Sequence, residues 1–338
     1  MKRIGVFFLW VTILASTVFA DSFLDESSLQ YVQTEEDFRK LGLFSAMYQM
    51  AEKQPEQEGA IPKTLHFIWL GPAPFPAASA ARLQGWIAQH PQWKVKLWMD
   101  EGSDLVVQGV ERKGSTDFPL GALEKCYYAS DNFGERSMLV RYAILLSEGG
   151  IYIDHDMRCL KPLDPLLKKC DFLCGMEPPA SSILSSSVYA SPHLLGAVPA
   201  HAVLQTAVKW LQKEWDRLEG QYPGSEPSEI YNRVLHRAYR ALDIAIKSAH
   251  HRSGSRDVVF PPDYFSLQDS KRAQFAVHEH LGSWYRQSSA EEIKVQSLLE
   301  RAIDKASGTF QLAIALTLIN ICAALLFFSQ HFYRKKRV

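Results

Sequence analysis

Two aspartates separated by one residue, Asp154 and Asp156, are the groups in this chain best placed to do chemistry. They follow the short apolar run Ile151-Tyr152-Ile153 and flank His155. Paired hard oxygen ligands of this kind suit Mg²⁺ or Mn²⁺. An ion held there would bridge to a diphosphate and neutralise charge on a leaving group, which is Lewis-acid catalysis. On its own an Asp-x-Asp is a weak signal, because acids after a strand are commonly solvated turn residues. In a strand, positions i and i+2 would put both side chains on one face. His278 and His280 flank Glu279 and raise the idea of a metal pair, with a solvated or structural role the plainer reading for His280. Trp69 reads as core or as a ligand contact, Arg141 as a surface charge or a binding group, and His66 as a buried, hydrogen-bonded core histidine.

The elements around the acid pair explain how it would be presented. Ser137 to Ser147 carries helical spacing and ends at Gly149-Gly150, a C-cap followed by a turn. The apolar run then forms a short buried strand ending on Asp154, so both acids sit where open α/β sheets bind ligands, at the carboxyl end of a strand. Upstream, Thr64 to Leu70 is an apolar run between Pro62 and Gly71-Pro72, a buried strand. A helix is expected from Ala77 to Gln89, and Lys94 to Met99 alternates as a second strand. Strand, helix, strand opens a parallel α/β sheet. Residues 34–53 have the spacing of an amphipathic helix, with 54–59 a polar linker. Leu204 to Leu218 and Ile230 to Ser248 read as two further helices, and Ser181 to Ser187 as a loop or weak strand.

Composition narrows the class. The 338 residues carry 37 Lys+Arg and 37 Asp+Glu, a net charge of zero. A nucleic-acid partner is not expected, because phosphate binding normally leaves a basic footprint. The five cysteines form no CxxC pair, against a zinc ribbon or thioredoxin-type site. Cys170 and Cys174 either pair in an oxidising compartment or stay buried thiols; Cys159 reads as structural.

Both termini point to a membrane. Lys2-Arg3, the apolar stretch Ile4 to Leu14 and the small residues up to Ala20 read as a signal peptide or an N-terminal anchor over residues 1–20. Phe310 to Phe328 is 19 residues without a charge. At the helical rise this spans roughly 28 Å, close to the hydrocarbon thickness of a bilayer. The basic tail over 329–338, with Arg334, Lys335, Lys336 and Arg337, is expected to stay cytoplasmic. The expected organisation is a helical lead-in and linker over 21–59, a main domain over 60–290, a linker helix over 291–309 and a transmembrane helix over 310–328. One or two passes would leave the main domain extracytoplasmic or lumenal.

Several separated blocks resemble the glycosyltransferases with a DXD sugar-binding region, a group that includes yeast initiating mannosyltransferases and, more distantly, the glucosylating bacterial toxins. The blocks are Ile61 to Gly71, Asn132 to Ser137, Arg141-Tyr142, Gly149 to Asp156, Phe260-Pro261-Pro262 through Phe265, and His278 with Gly282-Ser283-Trp284. They span residues 61–286 in the family's order. The resemblance implies an α/β fold of the GT-A, Rossmann-like, nucleotide-sugar-binding type and a retaining, Mn²⁺- or Mg²⁺-dependent hexosyltransferase. Its donor would be a UDP- or GDP-sugar and its acceptor a glycan, lipid or protein. By the same resemblance Asp156 ligates the metal, and Asp154 contacts the donor or reaches the metal through water. Trp69 would lie near the base, and Arg141 and Tyr152 near the donor sugar. Ser283 and Trp284 would close over the diphosphate with support from His278. Where the family has an Asp after Ser137, this chain has Met138, whose thioether accepts hydrogen bonds poorly. Asp131 and Glu135 are the nearby acids that could stand in. Met138 keeps two alternatives open: a weakened binder of nucleotide-sugar or glycan on the same fold, and a nucleotide-sugar hydrolase.

Overall fold

Apolar alternation and turn chemistry build a seven-stranded mixed sheet with helices against both faces. The computed structural model describes residues 23–24, 26–100, 107–179, 186–224, 226–249 and 256–281. Ser283, Trp284, most of Ser181 to Ser187 and the expected segments over 1–20, 291–309, 310–328 and 329–338 lie outside the described residues. Among the described residues, no helix is long and apolar enough to cross a membrane.

Thr34 opens α1 (Glu35–Lys53): its hydroxyl accepts the Asp37 N–H at 3.1 Å and the Asp37 carboxylate accepts the Thr34 N–H at 3.0 Å. This reciprocal cap satisfies donors that a helix start leaves open. The chain continues through β1 (Thr64–Trp69), α2 (Ala77–Gln89), β2 (Lys94–Met99), β3 (Glu111–Lys113), α3 (Glu124–Ala129) and α4 (Phe133–Glu148). Then come β4 (Gly150–Ile153), β5 (Met157–Cys159), β6 (Phe172–Met176), β7 (Ala190–Ala197), α5 (Ala202–Gln221), α6 (Pro227–Val234), α7 (Ala241–Ala249), β8 (Asp257–Phe260) and β9 (Ala276–His278). The single helix expected from Ile230 to Ser248 is interrupted: a π turn over Leu235–Arg240 separates α6 from α7. A π turn shifts the phase of side chains along a helix, and Arg237, on that turn, is fully buried.

The large sheet runs β3-β2-β1-β4-β7-β6-β8, and a two-stranded sheet pairs β5 with β9. The expected parallel opening is present in β1 with β2, β1 with β4 and β2 with β3. Beyond β4 the sheet departs from it, since β7 is antiparallel to both β4 and β6. The central strands β1, β4, β6, β7 and β8 are buried on both faces, and alternate residues feed two apolar cores. Tyr152 joins the core that includes Leu139, Leu145 and Leu204, whereas Ile151 and Ile153 join the one that includes Leu83 and Trp86. Leu41, Phe44 and Met47 of α1 belong to the first of these, so the lead-in helix packs into the domain core. All described residues fall within one compact unit spanning residues 1–286.

The Gly149-Gly150 turn is set by close approach. Both residues have positive φ, and a Cβ on Gly150 would lie 2.7 Å from His66 Nε2. His66 is fully buried; its Nε2 lies 3.0 Å from the Gly149 carbonyl and its Nδ1 accepts the Trp98 indole N–H at 3.2 Å. Both bonds are made only by the neutral Nε2–H tautomer. Cys126, Cys159, Cys170 and Cys174 are free thiols, so the open choice for Cys170 and Cys174 resolves to unpaired. Burial pushes the Cys159 thiol up to about 12.

Candidate functional site

β4 ends at Ile153, and Asp154-His155-Asp156 form the turn between β4 and β5. The acids therefore stand just past the carboxyl end of a central strand, as expected, but not on the strand itself. What brings their carboxylates together is the turn, rather than strand alternation. The Asp154 N–H donates to the His193 carbonyl of β7 at 2.9 Å, which ties the turn to the antiparallel neighbour.

Each acid is held differently. Asp154 Oδ1 accepts from the Tyr152 hydroxyl and from Arg141 Nη2, the latter at 3.2 Å. Arg141 is buried on α4, stacks 4.1 Å from the Tyr152 ring centre and donates through Nη1 to the Pro192 carbonyl at 2.5 Å. Its surface-charge reading is thus removed: it is a buried brace behind Asp154. Asp156 is 6% exposed. Its Oδ1 lies 3.2 Å from His278 Nε2, and its Oδ2 accepts the Leu281 N–H at 2.9 Å. Burial alone would raise the Asp156 carboxyl, but the His278 imidazole and the Leu281 N–H outweigh it and hold Asp156 well below the ordinary carboxylate range.

His278 reaches the acids through β-pairing. Met157 of β5 pairs with His278 of β9, two antiparallel strands that are far apart in sequence. Asp154, Asp156 and His278 each offer one donor atom, all within 4.8 Å of one another, an arrangement that could hold a metal ion. His278 Nε2 is 4.0 Å from Asp154 Oδ2. His278, assigned by resemblance to support closure over the diphosphate, thus stands beside both carboxylates.

Trp69 closes β1 on the near side of the turn. It is partly exposed, its indole N–H donates to the Ala73 carbonyl at 2.8 Å, and its ring meets His155 edge-on at 4.9 Å. His155 also faces the Ser79 hydroxyl of α2 at 2.9 Å. Arg82, one turn further along α2, pairs with Glu279 at 2.5 Å, and the Glu279 N–H donates to the Asp156 carbonyl at 3.2 Å. The 278–281 segment is therefore clamped against the acid turn from two sides.

Of the two acids that could stand in for the missing family acid, Glu135 is committed elsewhere. Glu135 is 1% exposed, and its Oε1 accepts from Arg233 Nε at 3.1 Å and Arg237 Nη1 at 2.8 Å. Its Oε2 accepts from the Ser130 hydroxyl at 2.8 Å. Both oxygens are committed to a buried ion-pair network. Asp131 is exposed, and Met138 is 1% exposed within an apolar core. Residues that no local pattern marked also line the site: Glu177 Oε1 lies 3.0 Å from His193 Nδ1, and the Tyr239 hydroxyl lies 2.9 Å from His193 Nε2. Burial would raise Glu177, but the His193 imidazole holds it down at about 2.

Fold and site together define a mixed α/β protein with a parallel-rich central sheet and an acid pair past its fourth strand. Residues 76–173 match the family described as glycosyltransferase sugar-binding region containing DXD motif. That stretch holds Met138, Arg141, Tyr152, Asp154 and Asp156, whereas Trp69 and His278 lie outside it. The chain is 34% identical over 111 residues to inositol phosphoceramide mannosyltransferase 3 of Schizosaccharomyces pombe, covering 33% of this chain and 28% of that protein. It is 27% identical to inositol phosphoceramide mannosyltransferase 1 of the same yeast, covering 50% of this chain and 48% of that one. The chain thus spans less than half the length of these relatives. Among solved structures, the catalytic domain of alpha-toxin from Clostridium novyi superposes with a TM-score of 0.46 at 10% identity, covering 85% of this chain and 92% of that one. The family match and the relatives' names support a transferase enzyme.

Proposed function

We propose that this chain is a GT-A-type, retaining, divalent-metal-dependent glycosyltransferase that moves a hexose from a UDP- or GDP-sugar to a glycan, lipid or protein. The observation that carries this reading is the convergence of Asp154, Asp156 and His278 past the carboxyl end of β4. The names of the yeast relatives favour mannose as the sugar and an inositol phosphoceramide-type lipid as acceptor.

The donor set fits a divalent ion: two carboxylates supply hard oxygens, and a neutral imidazole adds a ligand that Mn²⁺ accepts more readily than Mg²⁺. Asp156 would hold the ion directly, with His278 beside it and Asp154 either on the ion through water or on the donor's ribose or sugar. When bound, the ion supplies charge neutralisation at the diphosphate leaving group. The chain's own residues do the positioning. Arg141 and Tyr152 fix Asp154 Oδ1, so Oδ2 is the oxygen aimed at the site. Trp69 presents a partly exposed aromatic face for the nucleotide base. Ser283 and Trp284, three and four residues beyond His280, would close over the diphosphate.

Asp156→Asn keeps the size and removes the charge. Turnover should fall at least about 100-fold, as expected for loss of a preorganised charge, with an unchanged circular dichroism spectrum. Incubation of the wild-type chain with labelled nucleotide-sugars and Mn²⁺ separates transfer, release of free sugar and binding alone. Free sugar or binding alone would overturn the transferase reading, and Asp156→Asn turnover equal to wild type would remove Asp156 from the site.

We also propose membrane attachment through residues 310–328, with the catalytic unit extracytoplasmic or lumenal. Support comes from the uncharged run and its basic flank. The full chain should resist carbonate extraction and partition into detergent; its release by carbonate would end the idea.

A further inference from the structure

Behind the acid pair lies a second cluster, made of three histidines. The ring centres of His193 and His278 are 4.0 Å apart and those of His278 and His280 are 3.8 Å apart. Each of the three offers a ligand atom within 4.8 Å of the other two. We propose that His193, His278 and His280 form a second metal site, one that takes a borderline transition-metal ion of the Zn²⁺ class.

Four observations carry it. The first is donor chemistry: three imidazoles suit Zn²⁺, Co²⁺, Ni²⁺ or Cu²⁺, whereas the adjoining carboxylates suit Mg²⁺ or Mn²⁺. The second is His278 itself, 3% exposed, whose Nε2 faces Asp156 while its Nδ1 is buried with no hydrogen-bond partner among the described residues. A buried ring nitrogen without a partner is costly, and an ion among the three rings supplies one. The third is the support of His193. Glu177 Oε1 lies 3.0 Å from its Nδ1, a buried carboxylate whose charge favours a cation beside this ring. Its Nε2 lies 2.9 Å from the Tyr239 hydroxyl, so both ring nitrogens are held in place. The fourth is the backbone of His280, a non-glycine residue at φ 51. Such outliers persist where the surroundings over-determine them. Here the Glu279 and Leu281 N–H groups on either side are both bonded to Asp156.

His278 belongs to both clusters, and because a neutral imidazole has one lone-pair nitrogen its ring serves one ion at a time. The proposal concerns binding alone and does not depend on sugar transfer.

The test uses the full chain without a polyhistidine tag, stripped with EDTA and titrated with Co²⁺ and then Zn²⁺. Tetrahedral imidazole coordination gives Co²⁺ an intense visible absorption that an oxygen-rich octahedral site does not. The expected result is such a band, displaced by Zn²⁺. His280→Ala, at an exposed position, should lose most of the band and weaken Zn²⁺ binding at least about tenfold. Asp154→Asn should leave both nearly intact. His280→Gln, which keeps the bulk but not the imidazole, should behave as His280→Ala and guards against a folding defect. An unchanged Zn²⁺ affinity in both His280 variants overturns the proposal. So does a band lost in Asp154→Asn yet kept in His280→Ala, because the ion would then sit on the acid pair.

Discussion

At position 138 a thioether stands where the family resemblance places an acid, and its surroundings decide what that means. Met138 is packed in an apolar core on α4, three residues before Arg141. Restoring the acid would put a carboxylate into that apolar core. Met138→Asp is therefore expected to destabilise the fold by about 3 kcal/mol or more, the cost of an uncompensated buried charge, without raising turnover. Urea denaturation of the variant beside the wild type measures this. A variant as stable as wild type with increased transfer would mean that position 138 opens onto the donor. Glu135 offers no substitute, since both of its oxygens are taken by Ser130, Arg233 and Arg237.

At the scale of elements, His66 joins three of them. It lies on β1, accepts from Trp98 of β2 and bonds the Gly149 carbonyl at the α4–β4 turn. Burial pushes its imidazole from 6.5 down to about 4. Protonating Nδ1 would set two donors against each other at the Trp98 contact. Because the folded state resists a proton that the unfolded chain binds below 6.5, the unfolded state holds more protons in this window. Stability must then rise with pH and fall as pH drops. Between pH 6.5 and 5, where most carboxylates remain ionised in both states, His66 should remove about 2 kcal/mol of stability. The expected measurement is a urea midpoint that declines over this range, with a shallower decline in His66→Gln. Equal slopes in the two proteins would remove His66 from the acid response.

At the scale of the whole molecule, the buried ions around Glu135 connect α4, α5, α6 and the π turn. Arg233 and Arg237 both donate to Glu135 Oε1, Arg237 also reaches Glu219 at 2.8 Å, and its guanidinium lies 3.4 Å from the Trp215 ring centre. Removing one member of such a set leaves buried charge without its partner, which costs more than the pair contributed. Glu135→Gln should lower stability by about 3 kcal/mol and Tm by roughly 6–12 °C. A thermal melt within about 2 °C of wild type would show that Glu219 and Trp215 suffice to hold both arginines.

Local pattern alone determined a good deal of this protein. The helix–Gly-Gly–strand–acid block, the β1–α2–β2 opening, α1 and the buried character of His66 all rest on contacts between residues near in the chain or on simple burial periodicity. Those signals are written in consecutive residues, and the family match over residues 76–173 takes in the acid block, α2 and β2 but not α1, β1 or His66. Tertiary structure alone decided the rest. The antiparallel entry of β7 between β4 and β6 places His193 behind the acid turn, and Glu177 and Tyr239 converge on it there. The pairing of β5 with β9 brings His278 and the Leu281 N–H to Asp156 across 125 residues of sequence. Such contacts have no local periodicity to announce them. They form because β5 and β9 each leave backbone donors and acceptors that must be paired once buried, and because the buried Asp156 carboxylate is stabilised where the His278 imidazole and the Leu281 N–H meet it.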